Sequence, residues 1–325
     1  MFNCRAPNEV KDQAIENFLV RRLEKSKKLG DCEQIGISLY NLGNHYRSRH
    51  LYRKALIHYL KARKEASLYL KQHYYFRELG SIFFELKKYR IAAKLYKKAL
   101  DLDAPLRISA LYADSLMFSG KYFEAKDVFS KYLENSGDPH DEWHLKSICL
   151  ESIIEEYGVK EQSRNIQKAI ELADIVGTKE SGELISKLEK ALREDMLCGL
   201  AWFNLGIEKN KLQNNHEAAF CFTMCGLIQT GDEEAWVNAT LCSFDKRLPV
   251  QILVLTLRTA YFFNGEKYLS LLYQRLSEQQ SSEAVAQISE IIEHLVPKEE
   301  QPDIPEVRIM GEKGLFKNIF DKKKE

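Results

Sequence analysis

The sequence predicts an all-α solenoid, a stack of antiparallel helix pairs, ending in a flexible C-terminal tail. Two observations lead there. Small and aromatic residues recur at intervals of 33 to 37 residues along much of the chain. Within each interval the apolar positions step by three and four, which places one stripe on each of two successive helices. Neither helix can bury its stripe alone, so stacking neighbouring pairs is the way to build a continuous core. The composition, 45% apolar and 29% charged over 325 residues, suits such a core and excludes wholesale disorder.

Taken in order, residues 8–28 read as a charged amphipathic helix with Val10, Phe18, Leu19 and Leu23 inward, covering the first pair. The first pair is Leu42-Gly43, Tyr46, Ala55, Tyr59 and Ala62, turning at Ser48-Arg49-His50. Leu79-Gly80, Phe83, Ala92, Tyr96 and Ala99 repeat it 37 residues later. A third copy, shifted by 33, is Ala113, Leu116, Gly120, Tyr122, Ala125 and Phe129. Gly or Ala at the close-approach positions lets helix backbones meet, and the aromatics fill the space between pairs. Gly137-Asp138-Pro139 marks a joint, since Pro cannot continue a helix.

A further copy begins at Trp202, with Leu205-Gly206, Ala218, Phe222 and Cys225, and Trp236 falls 34 residues after Trp202. Extending that phase backward predicts helices near 165–178 and 179–192, with Ala191 on a small position, and leaves Asp141–Tyr157 as an extra helix. Extended forward, it predicts pairs near 233–260 and 267–294, with Val250–Phe263 a buried helix because it is apolar nearly all round. The resulting organisation is a capping helix at 1–34, regular repeats at 35–137, a degenerate stretch with a phase break at 138–196, further repeats at 197–296, and a polar tail at 297–325. The tail carries Pro297, Pro302 and Pro305 and ends in a short amphipathic segment, where Leu315, Phe316, Ile319 and Phe320 would share a helix face; it either folds back on the solenoid or stays without order, docks another protein, or makes a weak contact with an anionic membrane.

At these residues the chain resembles the tetratricopeptide repeat family. Trp202-x-x-Leu205-Gly206 with Ala218 and Phe222, and Leu42-Gly43-x-x-Tyr46 with Ala55, Tyr59 and Ala62, match its motif. The first interval is similar to the family's longer-helix variety. The resemblance implies a superhelix whose concave groove is lined by the first helix of each pair. Carried over, the inward positions are Ile37, Tyr40, Asn44 and Arg47; then Tyr74, Arg77, Ser81 and Phe84; then Arg107, Ala110, Asp114 and Met117. One branch of the family holds acidic chaperone tails in a carboxylate clamp. Asn44 and Arg107 match clamp positions, whereas Tyr40, Glu78 and Leu111 depart from them, which argues against that role.

Function reads as binding rather than chemistry. No phosphate-cradling glycine run, His-Glu-x-x-His or Gly-x-Ser-x-Gly is present. His216, Cys221 and Cys225 lie within one repeat, but Cys225 holds its small-residue position, so core packing rather than metal binding is expected. No cofactor is expected. Seven cysteines without a repeated spacing, an N-terminus without an apolar stretch, and the lack of an apolar run long enough to span a bilayer predict a cytoplasmic protein.

The net charge of +1 conceals an asymmetry: residues 1–100 carry 22 Lys and Arg against 9 Asp and Glu, the remainder 26 against 38. Arg49, Arg53 and Lys54 centre a basic patch beside Tyr46 and Tyr52. The expected role is a non-catalytic adaptor that holds a peptide or helix of a protein partner, with acidic groups selected by arginines. The alternatives are nucleic-acid binding through the basic first hundred residues, and a regulatory sensor hinged at Asp141–Tyr157. Opposite charge at the two ends permits homo-oligomers.

Overall fold

A computed structural model describes residues 8–136, 142–156, 164–174, 181–244, 248–278, 286 and 288–291. Among these there are fourteen α-helices and one short 3-10 segment, Ser67–Lys71, and no strand. No described helix is long and apolar enough to cross a membrane.

Helix α1 (Asn8–Leu29) lies on α2 (Cys32–Ser48). Three pairs come next: α2 with α3 (Tyr52–Glu65), α4 (His73–Glu85) with α5 (Tyr89–Leu100), and α6 (Arg107–Phe118) with α7 (Tyr122–Ser136). The small residue and the aromatic sixteen positions later are direct neighbours. A Cβ built on Gly43 would sit 2.6 Å from the Tyr59 ring, one on Gly80 2.7 Å from the Tyr96 ring, and one on Gly206 2.9 Å from the Phe222 ring. Glycine therefore sets how closely the paired helices approach, and the fully buried ring fills the contact.

The turn inside four of the pairs is also built one way. His50, Lys87, Gly120 and Gln213, each seven residues after the small position, all have positive φ, between 56° and 86°. In every case the following amide donates to a carbonyl five residues back: Leu51 to Tyr46, Lys88 to Phe83, Lys121 to Leu116, Asn214 to Lys209. This left-handed Schellman closure satisfies the last carbonyls of the first helix and reverses the chain.

Beyond the third pair, α8 (Glu142–Glu156) stands where the phase break places an extra helix, and stacks on α7 with Trp143 over Phe129. Helices α9 (Ile166–Ala173) and α10 (Ser181–Glu194) pair, with Ala191 fully buried. Helices α11 (Gly199–Lys211) and α12 (Asn215–Ile228) form the next pair; α13 (Glu233–Ser243) and α14 (Val250–Glu278) complete the stack. Gly265, with φ 55° and ψ −138°, breaks α14 into two rods, close to the predicted boundary between pairs. The chain also folds back on itself, since α14 packs against α8.

Two details differ from the expectation. Phe18 is exposed while Leu19 and Ser26 are buried, because the stripe facing α2 runs through positions seven apart and Phe18 sits to one side of it. Val250, Phe262 and Phe263 are exposed although Leu253, Leu257 and Ala260 are buried: the helix is apolar all round yet covered on one face only near its ends.

Candidate functional groove

The first helices carry the twelve positions assigned to the groove, and their exposure divides them sharply. All eight on α2 and α4, from Ile37 to Phe84, are half-buried and reach the surface in part. On α6, Arg107 is exposed, whereas Ala110, Asp114 and Met117 are buried. The assigned positions thus reach the surface along the first two pairs and are mostly buried at the third.

At the open end Tyr40 lies among aromatic neighbours, stacked on Tyr69 at 5.2 Å and edge-on to Tyr74 at 5.5 Å between ring centroids. Tyr59, whose hydroxyl donates to Asn44 Oδ1 at 2.6 Å, backs the cluster from α3. Burial, with Glu78 adding to it, pushes the Tyr40 phenol far above its ordinary range, so the hydroxyl stays protonated and able to donate.

The arginines of the groove are already engaged. Arg47 Nε lies 2.6 Å from Glu78 Oε2, and Arg77 Nε donates to Glu78 Oε1 at 3.0 Å. Glu78, the carboxylate that departs from the clamp pattern, is buried, and it holds guanidinium groups from two consecutive pairs. The trio retains one net positive charge. Its partners are fixed before any ligand arrives, which favours geometric selectivity over bulk attraction.

At the closed end Lys146 reaches from α8 to Asp114, Nζ to Oδ1 2.7 Å, and both side chains are buried. Burial raises the Asp114 carboxyl pKa, against the pull of the Lys146 ammonium. The same ammonium sits 5.1 Å from the Trp143 ring centroid and 5.6 Å from that of Phe118. Across the phase break, Arg164 donates to both Asp195 oxygens, at 2.6 and 3.0 Å, and to the Phe118 carbonyl at 2.9 Å. The groove floor ends in an aromatic wall, with Phe84, Tyr89 and Phe118 in mutual contact. A cleft of about 690 Å³ opens there, between Phe84, Glu85, Lys87 and Tyr89 on one side and the Ile228–Glu233 segment on the other.

The basic patch is divided. Arg49 meets Asp12 at 3.3 Å and Glu16 at 3.4 Å on α1, and Lys54 stands over the Tyr46 ring at 5.3 Å, while Arg53 is exposed. Tyr46 donates to Glu16 Oε1 at 2.7 Å, so α1 is pinned to the first pair by its acids. Cys221 and Cys225 are buried in the core, and burial raises both thiols, Cys225 to about 12. Among the described residues no cluster of three or more metal-ligating side chains forms. The tail segment Leu315, Phe316, Ile319 and Phe320 lies outside the described residues.

Lys146, Arg164 and Asp195 carry no local sequence signal. Their partners lie 31 to 46 residues away, and neither periodicity nor spacing pairs charges over such distances.

No protein-family model matches the chain, and no curated protein matches it in sequence. Several solved structures are similar in fold. A tetratricopeptide repeat protein from Parabacteroides merdae is 14% identical with a TM-score of 0.37, over 80% of this chain and 98% of that one. PilW, a type IV pilus biogenesis factor, is 15% identical with a TM-score of 0.36, over 78% and 98%. YrrB, a TPR protein with an unusual peptide-binding site, is 16% identical with a TM-score of 0.34, over 66% and 95%. The likeness is one of fold, and the tetratricopeptide-like architecture stands on the chain's own helix pairs: a small residue, a left-handed turn seven positions on, and a buried ring sixteen positions on.

Proposed function

We propose that the chain is a non-catalytic adaptor that holds an extended peptide or a helix of a protein partner against the first two helix pairs. The observation that carries this reading is the row of eight partly exposed residues on α2 and α4, which sets an aromatic cluster beside a pre-organised arginine pair. Tyr40 and Tyr74 supply area and hydroxyl donors at low entropic cost, and Arg77, the more exposed of the two arginines, offers its remaining donors to carbonyl or carboxylate oxygens. Phe84 ends the groove with an apolar stop beside the cleft. The ligand is a segment of a few residues with a large side chain for the tyrosines and an acceptor for Arg77.

A photo-crosslinking residue placed at Tyr74 should capture proteins that the same residue at Phe123, on the outer face of α7, does not. Tyr74→Ala combined with Arg77→Glu should remove that set from affinity purifications while leaving the helical circular dichroism intact. Recovery of the same partners by the double variant would place the binding surface elsewhere.

A further inference from the structure

We infer that the outer face of α3 and α5 is a docking surface for an anionic lipid bilayer. The two helices are in identical register: Ala55, Tyr59 and Ala62 on α3 and Ala92, Tyr96 and Ala99 on α5 are buried, so the opposite faces present equivalent positions. From α3 that face shows Arg53, Lys61 and Lys64, with Lys54 and Arg63 on its two opposite edges; from α5 it shows Arg90, Lys94, Lys97 and Lys98. All nine are exposed, and Glu65 is the single acid on either helix. None of the nine is ion-paired among the described residues, although other surface cations are, Lys126 with Glu151 and Lys168 with Glu194 among them. The strip stops at the third pair, where the equivalents of Arg90, Ile91 and Lys94 are Phe123, Glu124 and Asp127.

Cations alone would serve any polyanion. What singles out a bilayer is the set of aliphatic side chains among them: Ile57 is 49% exposed, Leu60 42% and Ile91 43%. Isolated exposed aliphatics are ordinary on protein surfaces. Here they share a face with unpaired cations at the spacing of successive helical turns, the arrangement of an interfacial helix whose lysine and arginine heads reach phosphates while apolar groups enter the acyl boundary. A nucleic acid would meet the charges but offer nothing apolar to the isoleucines and leucine. It would call instead for exposed rings to stack on bases, and neither α3 nor α5 exposes one: Tyr52 and Tyr89 are half-buried, Tyr52 sharing a hydrogen bond with His50 at 2.7 Å. At 1.5 Å per residue the two helices, 14 and 12 residues long, give a contact roughly 20 Å in length. Each cation brought to an anionic surface multiplies partitioning roughly fivefold. The groove of α2 and α4 lies on the other side of the same pairs and stays free, so this surface is independent of the adaptor reading.

The test is sedimentation of the full chain with phosphatidylcholine vesicles carrying about a third phosphatidylserine, against pure phosphatidylcholine. Binding to the former alone, weakened by salt, is expected. Arg53→Glu, Lys61→Glu, Arg90→Glu and Lys98→Glu together should lower partitioning at least about a hundredfold. Should that variant lose its helical spectrum, glutamine at the same four positions asks the same question with a smaller loss. Ile57→Ser with Ile91→Ser leaves every charge in place and should still weaken vesicle binding about tenfold. No binding to anionic vesicles overturns the inference. So does an isoleucine variant that binds as the parent does, or tighter binding of a single-stranded RNA oligonucleotide than of the vesicles at equal salt.

Discussion

The first two pairs and the third are built on one plan and end in opposite states. On α2 and α4 the residues at the assigned inward positions stay partly exposed, while on α6 three of four are buried, and the buried carboxylate is taken by a lysine from α8. The repeat itself is not the cause. Gly43 with Tyr59, Gly80 with Tyr96 and Ala113 with Phe129 are equivalent in spacing, and all three rings are buried. The difference lies in the next element along the chain: after α3 and α5 another pair begins in phase, whereas after α7 comes a helix outside the 34-residue phase, against which α14 returns. Repeat sequence thus sets the stacking, and the break in phase sets where the groove ends.

The largest effect that would sharpen this contrast is at Lys146. Lys146→Met leaves Asp114 buried without its cation and should cost about 3–5 kcal/mol in chemical denaturation. Arg77→Met, in the open part, removes a partner that is itself partly exposed and leaves the buried Glu78 still paired with Arg47, and should cost under about 1 kcal/mol. Equal costs would erase the distinction between a closed and an open segment. Asp114→Leu combined with Lys146→Met should recover most of the loss, because an apolar pair replaces a buried ion pair at little net cost.

Next in size are substitutions at the close-approach glycines, where the two regions should behave alike. Gly80→Ala drives a Cβ to within 2.7 Å of the Tyr96 ring, and Gly206→Ala to within 2.9 Å of Phe222. Each should cost about 1–3 kcal/mol, since neither fully packed ring has room to retreat. If Gly206→Ala were neutral while Gly80→Ala was costly, the later pair would be packed on a different plan.

How much of this could be read from residues depends on the range of the interactions. Helix pairing and the extra helix at α8 rest on contacts within about sixteen residues, and periodicity reports those directly; the groove positions come from the resemblance to a repeat family, and the Gly137-Asp138-Pro139 joint lies outside the described residues. The Gly43–Tyr59 contact is a case in point. The closure of the third pair could not be read, because Asp114 and Lys146 lie 32 residues apart on helices of different phase. Glu78 shows the intermediate case. It stands out as a carboxylate at a position where the clamp wants a neutral amide, but only the coordinates reveal that it neutralises Arg47 and Arg77. Phe18 marks the limit of stripe reading on a helix with a single partner, where a shift of one position turns a side chain by about 100°.

Smaller effects belong to the turns. Gly120 holds φ 86°, where a Cβ crowds the backbone carbonyl, so Gly120→Ala should cost about 1 kcal/mol. His50, Lys87 and Gln213 adopt the same conformation with a Cβ, and each should gain a few tenths of a kcal/mol on replacement by Gly, offset by the entropy of the unfolded chain. A loss at Lys87→Gly as large as that at Gly120→Ala would mean that the side chain, not the turn, fixes that reversal.

The smallest effect tests whether charge also stabilises the closed pair at its outer face. Glu124 on α7 accepts from Lys121 at 2.6 Å and from Tyr112 at 2.8 Å, and these bonds, the lysine's first, hold its carboxyl below the ordinary carboxylate range. A lowered folded-state pKa means the unfolded chain takes up the proton more readily. The contribution is therefore complete above the ordinary glutamate pKa and fades as pH falls through the lowered value. Both groups are more than a third exposed, so solvent screening limits the contribution to a few tenths of a kcal/mol. Lys121→Met should flatten the dependence of stability on pH between about 5 and 3 and leave stability under acid conditions below that range almost unchanged. An equal loss at all pH values would show that Lys121 contributes through packing of its stem and not through its charge.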